Sequence, residues 1–385
     1  MWNLAEDTIS TEDVDALADW LRTHPRLTQG DRVCEFERLW SRWLGVRHSV
    51  MMTSGTTANL ALVSVAARRV DRTPPRVGVA AVTWPTNVTP SLLLGHDVVV
   101  FDVDRSTLGV NESHVCEAIE RREVDIVFVT HLLGLNALTD RVLETADKNG
   151  VILLEDCCEA HGTRHDDRKV GTLGLGSTFS FYFGHHMSTI EGGIVSTNDA
   201  EVADDLRLMR AHGLARESVA FDELRALHPD IDARFLFTSI GLNFRPTEIN
   251  AFLGIRQLED LDQRIEHRNR NLAQFLRDAP DWLWKDFRTE GMSSFALPLI
   301  ARDTRGASVI AAVVERLGIE ARPVVAGNLL RQPFMRQERV RVHGGYAPVA
   351  DQIHERGLYV GNGHHVDSAK VRQLTSALSS EGASV

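Results

Sequence analysis

The sequence predicts an α/β fold: a large domain on a mostly parallel central sheet, followed by a smaller α+β domain. Two observations carry this expectation. Between about residues 50 and 200, short apolar runs alternate with helical patterns, and after about residue 250 the texture changes. The runs are Arg76–Val82, Asp97–Val103, Val124–Leu132 and Gly150–Asp156. They are nearly continuously apolar, as strands covered on both faces must be. Between them lie helical stretches such as "ESHVCEAIERRE" and "LTDRVLETADKNG", the second ending in Asn-Gly as helices often do. Strand, helix, strand at this spacing gives parallel pairs with right-handed crossovers, and places chemistry at the carboxyl ends of the strands. A long amphipathic pattern, roughly Thr247–Asp278, then reads as the link to the small domain, whose strand "SSFALPLIA" and helix "ASVIAAVVERLG" follow. The predicted divisions are a helical arm over 1–30, the large domain over 31–250, and the connecting helix with the small domain over 251–385. The polar tail "SSEGASV" is expected to fray.

Composition narrows the function. A chain of 385 residues suits two domains, and 43% hydrophobic with 25% charged residues is ordinary for a globular enzyme. The net charge of −11, without a basic stripe, argues against nucleic acid or an anionic membrane as partner. The acidic, amphipathic N-terminus does not read as a signal peptide, and no apolar run reaches membrane-span length. Cys34, Cys116, Cys157 and Cys158 fit neither a zinc spacing nor a disulfide framework, and read as reduced thiols of a cytoplasmic protein.

Four stretches could carry chemistry. In "MMTSGTTANLALVSVAA", Ser54-Gly55-Thr56-Thr57 opens a buried helix, and suits either a bound phosphate or a plain N-cap. In "TWPTNVTP", Trp84 stands at a strand's carboxyl end, where an indole can cover a heterocycle or simply pack. "VILLEDCCEAHG" ends a strand with Glu155-Asp156, and a carboxylate there either meets a ring nitrogen or caps a helix. "STFSFYFGHHMSTIEGGIVSTND" places His185 and His186 side by side after a β-run, six residues before Glu191-Gly192-Gly193. Adjacent side chains diverge and no third ligand follows at zinc-like spacing, so a general base fits better than a metal.

Taken in order, these pieces resemble the DegT/DnrJ/EryC1/StrS sugar aminotransferase family, within fold type I of the pyridoxal phosphate (PLP) enzymes, the aspartate aminotransferase-like transferase fold. The likeness runs from "LTQGDRVCEFERLWSRWLGVRHSVMMTSGTTAN" through "EDCCEAHG", "GSTFSFYFGHH", "EGGIVSTND" and "LNFRPTEINAFLGIRQLE" to "ARPVVAGNLLRQPFM" and "IHERGLYVGN". It implies that Gly55, Thr56 and Ser180 hold the cofactor phosphate, that Trp84 stacks on the ring, and that Asp156 and Glu159 meet its nitrogen and hydroxyl. It also implies a homodimer with shared active sites, in which Asn243 reaches a phosphate in the neighbouring subunit. His212, Arg322 and Asn328 are the candidates for the substrate; for Arg322 a structural ion pair is an equal alternative.

The sequence departs from the family pattern at His185, where members carry the lysine that binds PLP covalently. The only lysines are Lys148, Lys169, Lys285 and Lys370, and Lys169 falls in an expected surface turn. A subset of the family makes the same exchange: 3-dehydratases of nucleotide-linked 4-keto-6-deoxyhexoses, to which "YFGHHMSTIEGG" and "RAHG" are similar. The resemblance therefore implies non-covalent PLP or its amine form, pyridoxamine phosphate (PMP). It further implies His185 as base, L-glutamate as amino donor, and a substrate of the GDP-4-keto-6-deoxymannose type that loses its C3 hydroxyl. An aminotransferase or eliminase acting on another ketone is the competing expectation. No cysteine follows Cys158, so the iron–sulfur cluster of a related branch is not expected.

Overall fold

The computed structural model describes residues 1–382. Eight strands form the main sheet, in the order His48–Met52, Gly193–Thr197, Gly176–Ser180, Ile152–Asp156, Ile126–Thr130, Arg76–Ala80, Asp97–Phe101 and Val340–Val342. Gly193–Thr197 runs antiparallel to both its neighbours, and the remaining pairs are parallel. Helices cover both faces, which explains the uninterrupted apolar strands: every residue of Ile126–Thr130 and Gly176–Ser180 is buried. The helix Gly55–Ala67 is apolar almost all round because it packs inside this domain, against Gly176–Ser180 and Gly193–Thr197.

The small domain pairs Gly357–Gly361 with Ala296–Ile300 on one side and Ala321–Pro323 on the other, all antiparallel. The helices Thr304–Arg316 and Ser368–Gly382 pack against each other beside it. Phe275, Leu297, Leu299 and Val371 belong to an apolar cluster of the small domain's own, while Ala296, Ile300 and Tyr359 of the same sheet join the main core. The strand Val340–Val342 nevertheless returns to the edge of the main sheet, beside Asp97–Phe101.

Three details differ from the sequence pattern. The long helical stretch is two helices, Glu248–Glu259 and Leu261–Asp278, meeting at Asp260, where the backbone (φ −100°, ψ −1°) departs from ideal helical angles. Of the tail expected to fray, Ser379–Gly382 continues the last helix, and 383–385 lie outside the described residues. The N-terminal segment is docked rather than a free arm. Trp2 is buried, its Nε1–H donates to Gly361 O (3.0 Å), and Leu4 N–H donates to Glu320 Oε2 (2.9 Å). The helix Thr11–Leu21 is held to Glu248–Glu259 by the Asp13–Arg256 ion pair (2.6 Å) and by Trp20 stacked on Phe252. Among the described residues, no helix is long and apolar enough to cross a membrane.

Candidate active site

A cavity of about 360 Å³ opens at the carboxyl ends of the parallel strands, bounded on the far side by the small domain. Of the residues singled out from sequence, Gly55, Thr56, Trp84, Asp156, Glu159, Ser180, His185 and Arg322 all line it, although they come from five separate stretches of chain.

One end is the start of the helix Gly55–Ala67. Ser54 caps it by accepting from Thr57 N–H (3.2 Å), so the cap reading holds. The cap leaves the Gly55 and Thr56 N–H groups ahead of the first intrahelical bond, facing the cavity with the helix dipole behind them. A cap and an anion cradle are thus compatible here. Gly55 is required by space: a Cβ there would lie 2.8 Å from Ser180 Cβ and 3.1 Å from its Oγ.

The floor is Asp156. Alternation along Ile152–Asp156 sends neighbouring Glu155 to the other face, where it is fully buried. There Glu155 accepts from the N–H groups of Gly171, Leu173 and Gly174 and faces His131 Nε2 (3.2 Å). Burial, the largest single influence, opposes ionisation of this carboxyl, but these bonds together outweigh it and hold the group below the usual range. His131, Glu155 and Cys157 stand close enough together to suggest a metal, but His131 Nδ1 accepts from Ala137 N–H, so its other nitrogen is the donor to Glu155. Asp156 keeps its place through Cys158 N–H (2.9 Å) and Asn59 Nδ2 (3.2 Å). Glu159 accepts from Leu133 N–H (2.8 Å), and burial, with Asp156 nearby, pushes its carboxyl up to about 7. Trp84 stands over the cavity with more than half its surface open (54%), free to cover a flat ligand.

His185 lies on the loop joining Gly176–Ser180 to Gly193–Thr197. The loop is closed by Phe181 N–H to Gly192 O and Thr189 N–H to Phe181 O (both 2.9 Å). Asn250 clamps it from outside, its Nδ2 donating to Thr189 O (2.7 Å) and Glu191 O (2.9 Å). The His185 ring faces Phe295 and Tyr182, and its buried Nδ1 has no protein partner. Burial pushes its basicity down to about 4, and the Arg268 guanidinium pushes the same way. The ring is therefore neutral at ordinary pH, the form a base needs. His186 turns away to meet Ser293 Oγ (3.1 Å).

Three candidates lie outside the cavity. Asn328 is buried and engaged locally, capping Leu330 N–H and donating to Asp351 Oδ1 (2.9 Å). His212 and Asn243 are exposed on adjoining stretches joined through the Ala211–Asn243 bridge. Arg322 lines the cavity and meets Glu320 only loosely (3.8 Å), which favours an available guanidinium over a fixed ion pair. Lys169 sits in the short hairpin Arg164–Lys169, its Nζ over the Trp43 ring and bonded to Trp43 O.

The cavity also holds residues that sequence reasoning passed over: Leu4, Ala5, Phe295 and Tyr359. Burial, reinforced by the Glu159 carboxyl and opposed by Arg322, pushes the Tyr359 phenol up to about 12. Tyr359 stood within the quoted "GLYVGN", but nothing in that string marked it as a wall of the site. Leu4 and Ala5 carried no signal.

The model of the DegT/DnrJ/EryC1/StrS aminotransferase family matches residues 7–379. GDP-4-keto-6-deoxy-D-mannose 3-dehydratase of Yersinia pseudotuberculosis is 32% identical over 97% of each chain. The solved Escherichia coli GDP-4-keto-6-deoxy-D-mannose 3-dehydratase with bound hydrated PLP is 28% identical. It covers 98% of this chain and 99% of its own, with a TM-score of 0.91. A structure of GDP-4-keto-6-deoxymannose 3-dehydratase with a trapped PLP–glutamate geminal diamine aligns at 27% identity and TM-score 0.88, covering 98% of this chain and all of its own. This chain belongs to the DegT/DnrJ/EryC1/StrS aminotransferase family.

Proposed function

We propose that the protein is a PLP/PMP-dependent 3-dehydratase of a nucleotide-linked 4-keto-6-deoxyhexose of the GDP-4-keto-6-deoxymannose kind, using L-glutamate as amino donor. The observation that carries this reading is His185. A neutral imidazole lines the cavity where the family resemblance puts the lysine, while Lys169 is held at Trp43, outside it.

The residues present fit the cofactor. The Gly55 and Thr56 N–H groups with the Ser180 hydroxyl suit its phosphate, Asp156 its ring nitrogen, Glu159 its hydroxyl and Trp84 its open face. When bound, the cofactor supplies an electron sink that lets a C–H proton leave and a neighbouring C–O bond break. Asp156, pinned by Asn59 and by Cys158 N–H, keeps a carboxylate where the ring nitrogen needs a partner. His185 takes the proton and returns one to the departing hydroxyl. As an imidazole it offers no primary amine for a lasting covalent link, which favours loss of oxygen over retention of nitrogen. The balance is ketosugar plus glutamate giving 3-deoxy ketosugar, 2-oxoglutarate and ammonia. Arg322 and Tyr359 line the small-domain side of the cavity, which supports a role for them in binding the substrate.

The same reading includes a homodimer. Phe235, Phe237, Ile240 and Leu242 are largely exposed beside Asn243, more apolar surface than one segment of a lone subunit ordinarily leaves open. Asn243 then acts in the partner's site.

The test is mass spectrometry of the products formed from GDP-4-keto-6-deoxymannose, PLP and L-glutamate, beside a His185→Lys variant. Loss of one sugar oxygen with release of ammonia is expected, shifting toward an aminated sugar in the variant. An aminated sugar from the unaltered protein would overturn the proposal.

A further inference from the structure

A second cavity, about 270 Å³, lies behind the His185 loop. It is lined by Arg264, Arg268, His186, His267, His364, Thr8, Gln263 and Asp260, the last at ion-pair distance from Arg264 (3.6 Å). His185 and His186 thus border two different cavities, one on each side of the peptide that joins them.

The floor is unusual. Arg268 is only 6% exposed, and among the described residues no carboxylate lies within ion-pair distance of it. Its guanidinium donates to the carbonyls of Phe295 (2.6 Å) and, at longer range, His185 (3.4 Å). A buried cation held only by two carbonyls is costly unless an anion offsets it. His186 beside it is fully buried, and its Nδ1 has no partner although Nε2 meets Ser293 Oγ. Arg268 therefore lacks the counter-charge an anion would give it, and His186 Nδ1 lacks an acceptor in the tautomer where Ser293 Oγ donates to Nε2.

We propose that this second cavity is a binding site for a small tetrahedral oxyanion of the phosphate class. Donors surround the space on several sides: Arg264 and Arg268 from one helix, His186 from the loop, and His364 from the "GNGHHVD" turn. That arrangement suits an ion with oxygens pointing in several directions better than a planar ligand. All eight lining residues carry polar or charged side chains. Asp260 spends its charge on Arg264, and the rim adds no second carboxylate to the lining.

The experiment is calorimetric titration of inorganic phosphate into PLP-loaded protein, so that the helix N-terminus in the active cavity is already filled. Ionic strength is held constant with chloride, which separates a site from general screening. Gln263 is exposed at the mouth, so its charge can be varied without touching the floor. Gln263→Glu is expected to weaken phosphate binding roughly three- to tenfold and Gln263→Lys to strengthen it by a similar factor. His364→Ala is expected to weaken it as well. No saturable binding, or equal affinity in the two Gln263 variants, would overturn the proposal. Retained PLP absorbance in every variant keeps this outcome separate from the reading of the active cavity.

Discussion

Glu155 and Asp156 leave one strand on opposite faces, and only Asp156 reaches the cavity. Substituting each by its amide separates structure from chemistry. In Glu155→Gln the new NH₂ cannot accept from all of Gly171, Leu173, Gly174 and His131, so about 2–4 kcal/mol of stability should be lost in a urea melt. In Asp156→Asn stability should change little, while cofactor retention through gel filtration and turnover both fall by at least about tenfold.

Glu159 links stability to pH. Its folded value, about 7, lies above the ordinary carboxylate value, so the folded state holds this proton longer than the unfolded chain. The cost of ionising it in place grows as pH rises from about 4.5 to 7. Glu159→Gln removes that cost. Relative to the parent, the variant should gain up to about 2 kcal/mol between pH 5 and pH 8, read from paired urea melts.

His185 has the opposite sign. Its folded value of about 4 lies below the ordinary histidine value, so burial costs stability as pH falls from 6.5 toward 4. The base form is present throughout the neutral range. The acid limb of kcat/KM should therefore show no loss from His185 at pH 6–7, and His185→Phe should lower kcat roughly 10²- to 10⁴-fold at every pH in that range. A limb near 6.5 that vanishes in the variant would contradict this placement.

Gly55→Ala tests the cradle by crowding alone. The added methyl would sit 2.8 Å from Ser180 Cβ and must displace it. Cofactor affinity, measured by absorbance titration, should fall at least about tenfold, while kcat at saturating cofactor falls much less.

Trp2→Ala tests the N-terminal wall. Trp2 anchors the segment that brings Leu4 and Ala5 to the cavity, and Gly361 is small because Leu4 O would lie 2.2 Å from a Cβ there. Freeing the segment should raise KM for the sugar substrate several-fold with kcat little changed.

The large domain and half of the site were legible because their signals are local. A buried parallel strand reads as a run of apolar residues, and Gly55, Asp156 and His185 each stand beside the turn or strand end that aims them. What stayed hidden depends on distant pairings. Asn328 is taken up by Asp351, the His185 loop is clamped by Asn250, and Leu4 reaches the cavity only because Trp2 docks on Gly361. The break at Asp260 escaped notice because the apolar spacing continues across it.

The fixing of Lys169 at Trp43 has a practical consequence. With only Lys148, Lys285 and Lys370 besides it, and none of the four lining the active cavity, lysine side chains and the reacting pocket are physically separate in this fold. Coupling through lysine side chains can tether the protein to a solid support or carry a fluorophore while the pocket stays accessible. Borohydride treatment of the cofactor-loaded enzyme should leave the polypeptide mass unchanged.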